Sequence, residues 1–279
     1  MEQYVELDTT RDGVAIVTLN RPDVHNAFNA DVIEQLDNIF EDLRGADGVR
    51  VVQIRGAGKS FSAGADLNWM KRASDYTKDD NEEDAVFFSS MLHKLYDLPQ
   101  LTIAAVQGPA VGGGLGLVAA CDVAIATHKA WFCLSEVKLG LIPAVISPYV
   151  VEAIGPRAAR RYFLTAERFD AEKAKDIGLL HEVVADGAAM NAVVDQLCET
   201  AFVTAPGAVH AAKELIRAVQ GQPINNHIIH ETAKRIAIAR TSDEGREGVG
   251  AFLDKRKPQW VADHEALTTS SGQTTSSEE

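Results

Sequence analysis

A chain of 279 residues, 46% of them hydrophobic, has enough apolar material for one large core or two modest ones. Its formal net charge of −13, from 27 basic against 40 acidic side chains, excludes the broad basic face that nucleic acid or an anionic membrane surface requires. Any anionic ligand must therefore find cations placed locally.

The start of the chain, Met1 to Tyr4, shows no basic stretch ahead of an apolar one. The most apolar region, Leu101 to Ala126, is broken by Gln107, Pro109 and Asp122 before reaching the ~20 residues of a membrane span. Cys121, Cys133 and Cys198 show no C-x-x-C spacing, and the first two stand in apolar surroundings, which fits a reducing compartment. The expectation is a cytoplasmic protein with neither nucleic-acid nor membrane partners.

In chain order, Tyr4 to Leu7 and Val14 to Leu19 read as paired strands across Asp12-Gly13. Asn29 is placed to cap a helix whose apolar positions Val32, Ile33, Leu36, Ile39, Phe40 and Leu43 follow the helical period and which ends near Gly45. Val49 to Arg55 reads as a strand, Gly56 to Asp66 as a glycine and serine loop of the kind that carries function, and a helix is expected from Asp66. Residues 74–84 read as an exposed connection and Ala85 to Leu98 as a helix ended by Pro99. Leu101 to Val106 is a strand, a glycine-rich segment follows, and Asp122 to Ala126 is another strand. This order predicts crossover connections, a largely parallel sheet and an α/β fold.

From Pro156 onward the pattern turns helical: Ala158 to Thr165, Ala171 to Ile177, Ala188 to Ala201, Pro206 to Val219, Asn225 to Arg240 and Ser242 to Phe252. The division expected is a core over 1–200, a helical region over 201–260 and a tail over 261–279. The Ser- and Thr-rich end of that tail, Leu267 to Glu279, reads as disordered.

Gly112-Gly113-Gly114 offers no packing area, so its use is to let a ligand approach the backbone. A helix starting there would turn the Gly113 and Gly114 N–H groups outward at a partially positive terminus, which is half of an oxyanion hole. Two other glycine motifs fail. Gly56-Ala57-Gly58-Lys59-Ser60 lacks the leading glycine of a nucleotide phosphate loop, because Gln53 stands there inside a strand. Gly114 to Ala119 matches a dinucleotide fingerprint in letters, yet lies seven residues beyond the strand it should follow directly. Glu136, among Leu134, Val137 and Leu139, is a carboxyl whose pKa desolvation would raise toward proton-transfer duty. The plain alternative is a surface helix glutamate paired with Lys138, or a helix cap beginning at Ser135.

Taken in order, Arg21-Pro22-x-x-x-Asn26-Ala27-Phe28, Phe61 to Leu67, Ala110 to Leu115, Cys121-Asp122 and Glu136 to Pro143 resemble the crotonase (enoyl-CoA hydratase and isomerase) superfamily, from about Val5 to Trp260. The resemblance implies a ClpP-like spiral of β-β-α units and a helical C-terminal region that forms trimers or dimers of trimers. It also implies an acyl-CoA thioester substrate, with no cofactor beyond the coenzyme A the substrate carries and no metal. Ala63 and Gly113 match the two backbone oxyanion donors, Glu136 the catalytic carboxylate, and Val24, Ala27, Ala65, Asp66, Leu67 and Gly112 the segments that hold the substrate. Lys255 and Lys257 are candidates for the CoA phosphates, and Asp66 is equally well a plain helix cap.

Typical hydratases of the superfamily carry a second glutamate where this chain has Gly116. The segment Phe132 to Val151, with Ile146-Ser147-Pro148, is most similar to bacterial methylglutaconyl-CoA hydratases and isohexenylglutaconyl-CoA hydratases. A 3-branched glutaconyl-CoA is thus the expected substrate, with Lys71 or Arg72 as the cation for its distal carboxylate. A Δ3,Δ2-enoyl-CoA isomerase and a silent acyl-CoA-binding subunit are the alternatives.

Overall fold

The computed structural model describes residues 2–73 and 75–271. Strand β1 (Val5–Asp8) pairs antiparallel with β2 (Val14–Leu19), and helix α1 (Ala30–Arg44) returns the chain to β3 (Val51–Gly56). The α1 start is fixed by the Asn29 side chain, which accepts from the Val32 N–H at 3.0 Å. Helices α2 (Leu67–Ala73) and α3 (Lys78–Tyr96) lead to β4 (Leu101–Val106) and β5 (Ala110–Val111). Next come α4 (Gly113–Ala120), β6 (Val123–Thr127), β7 (Trp131–Cys133), α5 (Ser147–Thr165), β8 (Phe169–Asp170), α6 (Ala171–Asp176) and β9 (Glu182–Val184). The rest is helical: α7 (Gly187–Phe202), α8 (Pro206–Val219), α9 (Asn226–Thr241), α10 (Asp243–Leu253) and α11 (Gln259–Ser271).

One sheet has the order β1-β2-β3-β4-β6-β9, parallel except for β1, and a second has the order β5-β7-β8. Both faces of the first sheet are covered, so its strands alternate between two cores. Val52, Ile54, Ala104 and Val106 face the larger core with α1, α3, α4 and α5. Val51, Ile103 and Ala105 face Met190, Val194, Cys198 and Phe202 of α7. This is the α/β spiral the sequence led us to expect. Among the described residues no helix is long and apolar enough to cross a membrane.

Two expectations are corrected. Residues 78–84 are not a loose connection but the first turns of α3, whose Thr77 and Asp80 form a reciprocal capping box. Residues 261–271 are not a tail but most of α11, which Trp260 and His264 anchor: the Trp260 indole donates to the Val203 carbonyl at 3.2 Å, and His264 stacks on Phe202 at 3.7 Å. Residues 272–279, the rest of the expected tail, lie outside the described residues. α5 also starts earlier than its sequence suggests, at Ser147, and is interrupted where Gly155 takes φ 70°, just before Pro156.

Candidate active site

The glycine and serine loop is held in place by amides. Asn26 donates to the carbonyls of Ala57 and Ser60, both at 2.9 Å, while its own oxygen accepts from the Arg21 N–H at 2.8 Å. Gln107 donates to Gly56 and Ser60 from the other side, at 2.7 and 2.8 Å. The loop then runs alongside β5, with the Val111 N–H donating to Ser62 at 2.9 Å. Gly64 sits so close to this strand that a Cβ on it would lie 2.8 Å from the Val111 carbonyl oxygen, and its φ of +85° suits glycine alone. This contact brings the 63–65 turn against the start of α4.

Around that junction is a cavity of about 800 Å³. Ala63, Gly64, Ala65, Gly112, Gly113 and Glu136 lie on its wall, and apolar side chains including Trp69, Met70, Phe88, Val145 and Ile146 complete it. Leu67, 81% exposed, stands at its edge and offers apolar area to a ligand.

The hydrogen bonds reassign one donor. The Ala63 N–H donates to the His25 carbonyl at 2.9 Å and is committed there. Two residues on, the chain bridges to Phe28: the Phe28 N–H donates to Gly64 at 2.7 Å and the Asp66 N–H to Phe28 at 2.8 Å. In such a bridge the intervening N–H points away from the partner, and the Ala65 N–H has no acceptor among the described residues. Gly113, the first residue of α4, likewise has an N–H with no partner among them. The Ala65 and Gly113 N–H groups thus lie on the cavity wall without a partner among the described residues, whereas that of Ala63 is committed, and the expectation for Ala63 is corrected.

Glu136 opens a short 3₁₀ turn after β7, and its Oε1 would lie only 3.0 Å from a Cβ on Gly112, itself at φ +52°. Its Oε2 is buried with no hydrogen-bond partner among the described residues. Burial raises its pKa above the usual carboxylate value of 4.5. Its Oε2 is buried rather than paired with Lys138, and Ser135 makes no side-chain cap bond, so the surface alternative falls away.

Several sequence candidates stand elsewhere. Gly116 is buried inside α4, off the cavity wall: a Cβ there would meet Ile146 Cγ2 at 2.2 Å. Ile146 fills the place where a side chain at 116 would go. Asp66 caps α2, accepting from Asn68 at 2.8 Å and Trp69 at 3.3 Å, and pairs with Arg21 at 3.2 Å, so its role is structural. Val24 is exposed and Ala27 buried on the turn beside Ala63, neither on the wall. Lys71 and Arg72 are exposed and off the wall, because α2 turns Leu67, Trp69, Met70 and Ala73 to the cavity instead. Lys255 is exposed after α10, and Lys257 pairs with Glu265 at 2.5 Å. Asp122 proves to be a brace, accepting from the Thr102 backbone at 2.8 Å and from Lys213 of α8 at 2.7 Å.

Two unpaired N–H groups and one desolvated carboxyl on the wall of an apolar cavity are an arrangement able to stabilise an oxyanion and to move a proton next to it. Comparison with known proteins shows the family. Residues 9–263 match the profile described as enoyl-CoA hydratase/isomerase, and the chain belongs to that family, whose members act on acyl-CoA thioesters as hydro-lyases or isomerases. It is 31% identical over 246 residues to the short-chain-enoyl-CoA hydratase of Clostridium acetobutylicum, covering 88% of this chain and 92% of the relative. An enoyl-CoA hydratase from Shewanella pealeana superposes with a TM-score of 0.89 at 41% identity, over 92% of this chain and 96% of the other. AtuE of Pseudomonas aeruginosa superposes with a TM-score of 0.88 at 36% identity, over 93% and 100%.

Proposed function

We propose that this chain is a single-carboxylate hydratase of a 3-branched 2-enoyl-CoA. The observation that carries this is Glu136 Oε2, buried, unpartnered and on the same wall as the Ala65 and Gly113 N–H groups. The thioester oxygen accepts from those two donors. Glu136 takes a proton from water as its oxygen attacks C3, the electron pair moves onto the thioester as an enolate, and Glu136 returns the proton to C2. Each oxyanion donor contributes roughly 3–4 kcal/mol to lowering such a barrier.

The likeness of Phe132 to Val151 favours methylglutaconyl-CoA, hydrated reversibly to 3-hydroxy-3-methylglutaryl-CoA as in leucine catabolism, with isohexenylglutaconyl-CoA as the longer alternative. The cavity volume supports a branched acyl group, but among the described residues no Lys, Arg or His lines it to hold a distal carboxylate. A second reading, a Δ3,Δ2-enoyl-CoA isomerase, is favoured by Ile146 taking the space of a second carboxylate that would hold the water. A panel of branched and straight 2-enoyl- and 3-enoyl-CoA thioesters in water labelled with heavy oxygen separates the two. Label is expected in the 3-hydroxyacyl product; turnover of 3-enoyl thioesters alone, without label, would establish the isomerase.

The exposed apolar side chains of the C-terminal region, among them Ile224 between α8 and α9 at 91% and Phe252 of α10 at 82%, support the trimer or dimer of trimers implied by the resemblance. Light scattering is expected to give three or six times the chain mass, and a monomer mass would rule this out.

A further inference from the structure

The acyl cavity has a charge pattern of its own. Helix α3 turns Asn81, Asp84, Ala85 and Phe88 to it, the i, i+3, i+4, i+7 stripe of one helix face. Asp84 is half-buried there and has no ion pair or hydrogen bond among the described residues. The Asn81 amide NH₂ is committed to the carbonyls of Thr77 at 2.9 Å and Tyr76 at 3.3 Å, which leaves its oxygen as the uncommitted polar atom. The rest of the wall is mostly apolar, with Trp69, Met70, Leu141 and Ile142. The polar side chains α3 presents are thus acceptors, and the other ionisable group on the wall, Glu136, is also a carboxyl.

We propose that Asp84, backed by Asn81, is a specificity-determining residue that rejects acyl-CoA thioesters ending in an ionised carboxylate, so that the enoyl-CoA this site takes has an apolar or hydrogen-bond-donating end. This rests on the assignment of the cavity to the acyl group; it keeps the 3-branched 2-enoyl-CoA of that reading but sets the wall against both the methylglutaconyl and the isohexenylglutaconyl thioesters that the likeness of Phe132 to Val151 favours, in favour of a 3-branched acyl group without a distal carboxylate. A distal carboxylate entering the cavity meets like charge and finds no counter-ion on the wall. An alkyl end meets apolar surface, and a hydroxyl end finds acceptors. Burial holds the Asp84 pKa above its usual 3.8, a sign that the wall already disfavours charge.

The test uses butyryl-CoA and glutaryl-CoA, which differ only by the distal carboxylate and neither of which can be hydrated. Calorimetry on the full chain at neutral pH is expected to give butyryl-CoA the tighter binding by about tenfold, and Asp84→Asn to narrow that gap by about threefold or more. Glutaryl-CoA binding equally or more tightly to the wild type, a gap unchanged in Asp84→Asn, or no binding of butyryl-CoA would overturn the proposal. Asp84→Ser, on the same half-exposed helix face, serves as a second variant with the same expectation. Hydration of 3-methylcrotonyl-CoA in parallel keeps the two readings apart: its absence would sink the hydratase assignment while the binding ratio still decides the filter.

Discussion

Glu136→Gln is expected to lower kcat for hydration about 10³-fold while KM stays within a few-fold of wild type, since glutamine keeps the shape of the wall and loses the carboxylate that accepts and returns the proton. The carboxylate must be ionised to accept a proton from water, and burial favours its neutral form. The wild-type rate should therefore fall on acidification through a pKa above the ordinary glutamate value of 4.5, and the variant's residual rate should lack that limb. The same shift has a consequence for stability. A carboxyl whose folded pKa lies above its unfolded value holds its proton more tightly when folded, so its ionisation destabilises the fold. That cost is fully present above the folded pKa and vanishes below the unfolded one. Glu136→Gln should therefore be more stable than wild type at neutral pH, with the gain disappearing in acid. Near-normal hydration in the variant would refute the single-carboxylate scheme, and a stability loss at neutral pH would mark Glu136 as structural.

The parts of the site legible in the sequence are those that leave a compositional mark. Three glycines after an apolar strand mark a close backbone approach, and Gly112 and Gly113 do lie on the cavity wall while Gly114 packs against Ser62. A glutamate among apolar neighbours marks desolvation, and Glu136 is desolvated. What the sequence could not carry is direction. Ala63 and Ala65 are the same residue type two positions apart in one loop, and only the bond from Ala63 to His25 shows which N–H is left for a ligand. Lys71 and Arg72 were the natural cations for a distal carboxylate until the rotation of α2 turned Met70 and Ala73 inward in their place. Some missed features did have a signal: Thr77-x-x-Asp80 is a helix-start pattern, and it lies inside the stretch that reads as a connection on polarity alone.

Gly116→Glu is expected to destabilise the fold by roughly 4 kcal/mol or more, because it combines overpacking with burial of an unpaired carboxyl. A Cβ at 116 lies 2.2 Å from Ile146 Cγ2 and 2.9 Å from Ile146 Cβ, so the branched carbons of Ile146 must move before any side chain fits. Ile146→Ala alone should cost about 2–5 kcal/mol, since Ile146 is 2% exposed in the core. The double variant is the informative one. If the two residues compete for one volume, Gly116→Glu with Ile146→Ala should be more stable in urea unfolding than Gly116→Glu alone, despite carrying a second core truncation. Additive losses would show that something other than Ile146 closes the position. Under the competition result, a second carboxylate cannot be introduced by one tolerated change: glutamate first is overpacked, and alanine first leaves a cavity. The single-carboxylate chemistry is then held in place by packing between α4 and the start of α5, not only by the absence of a glutamate codon at position 116.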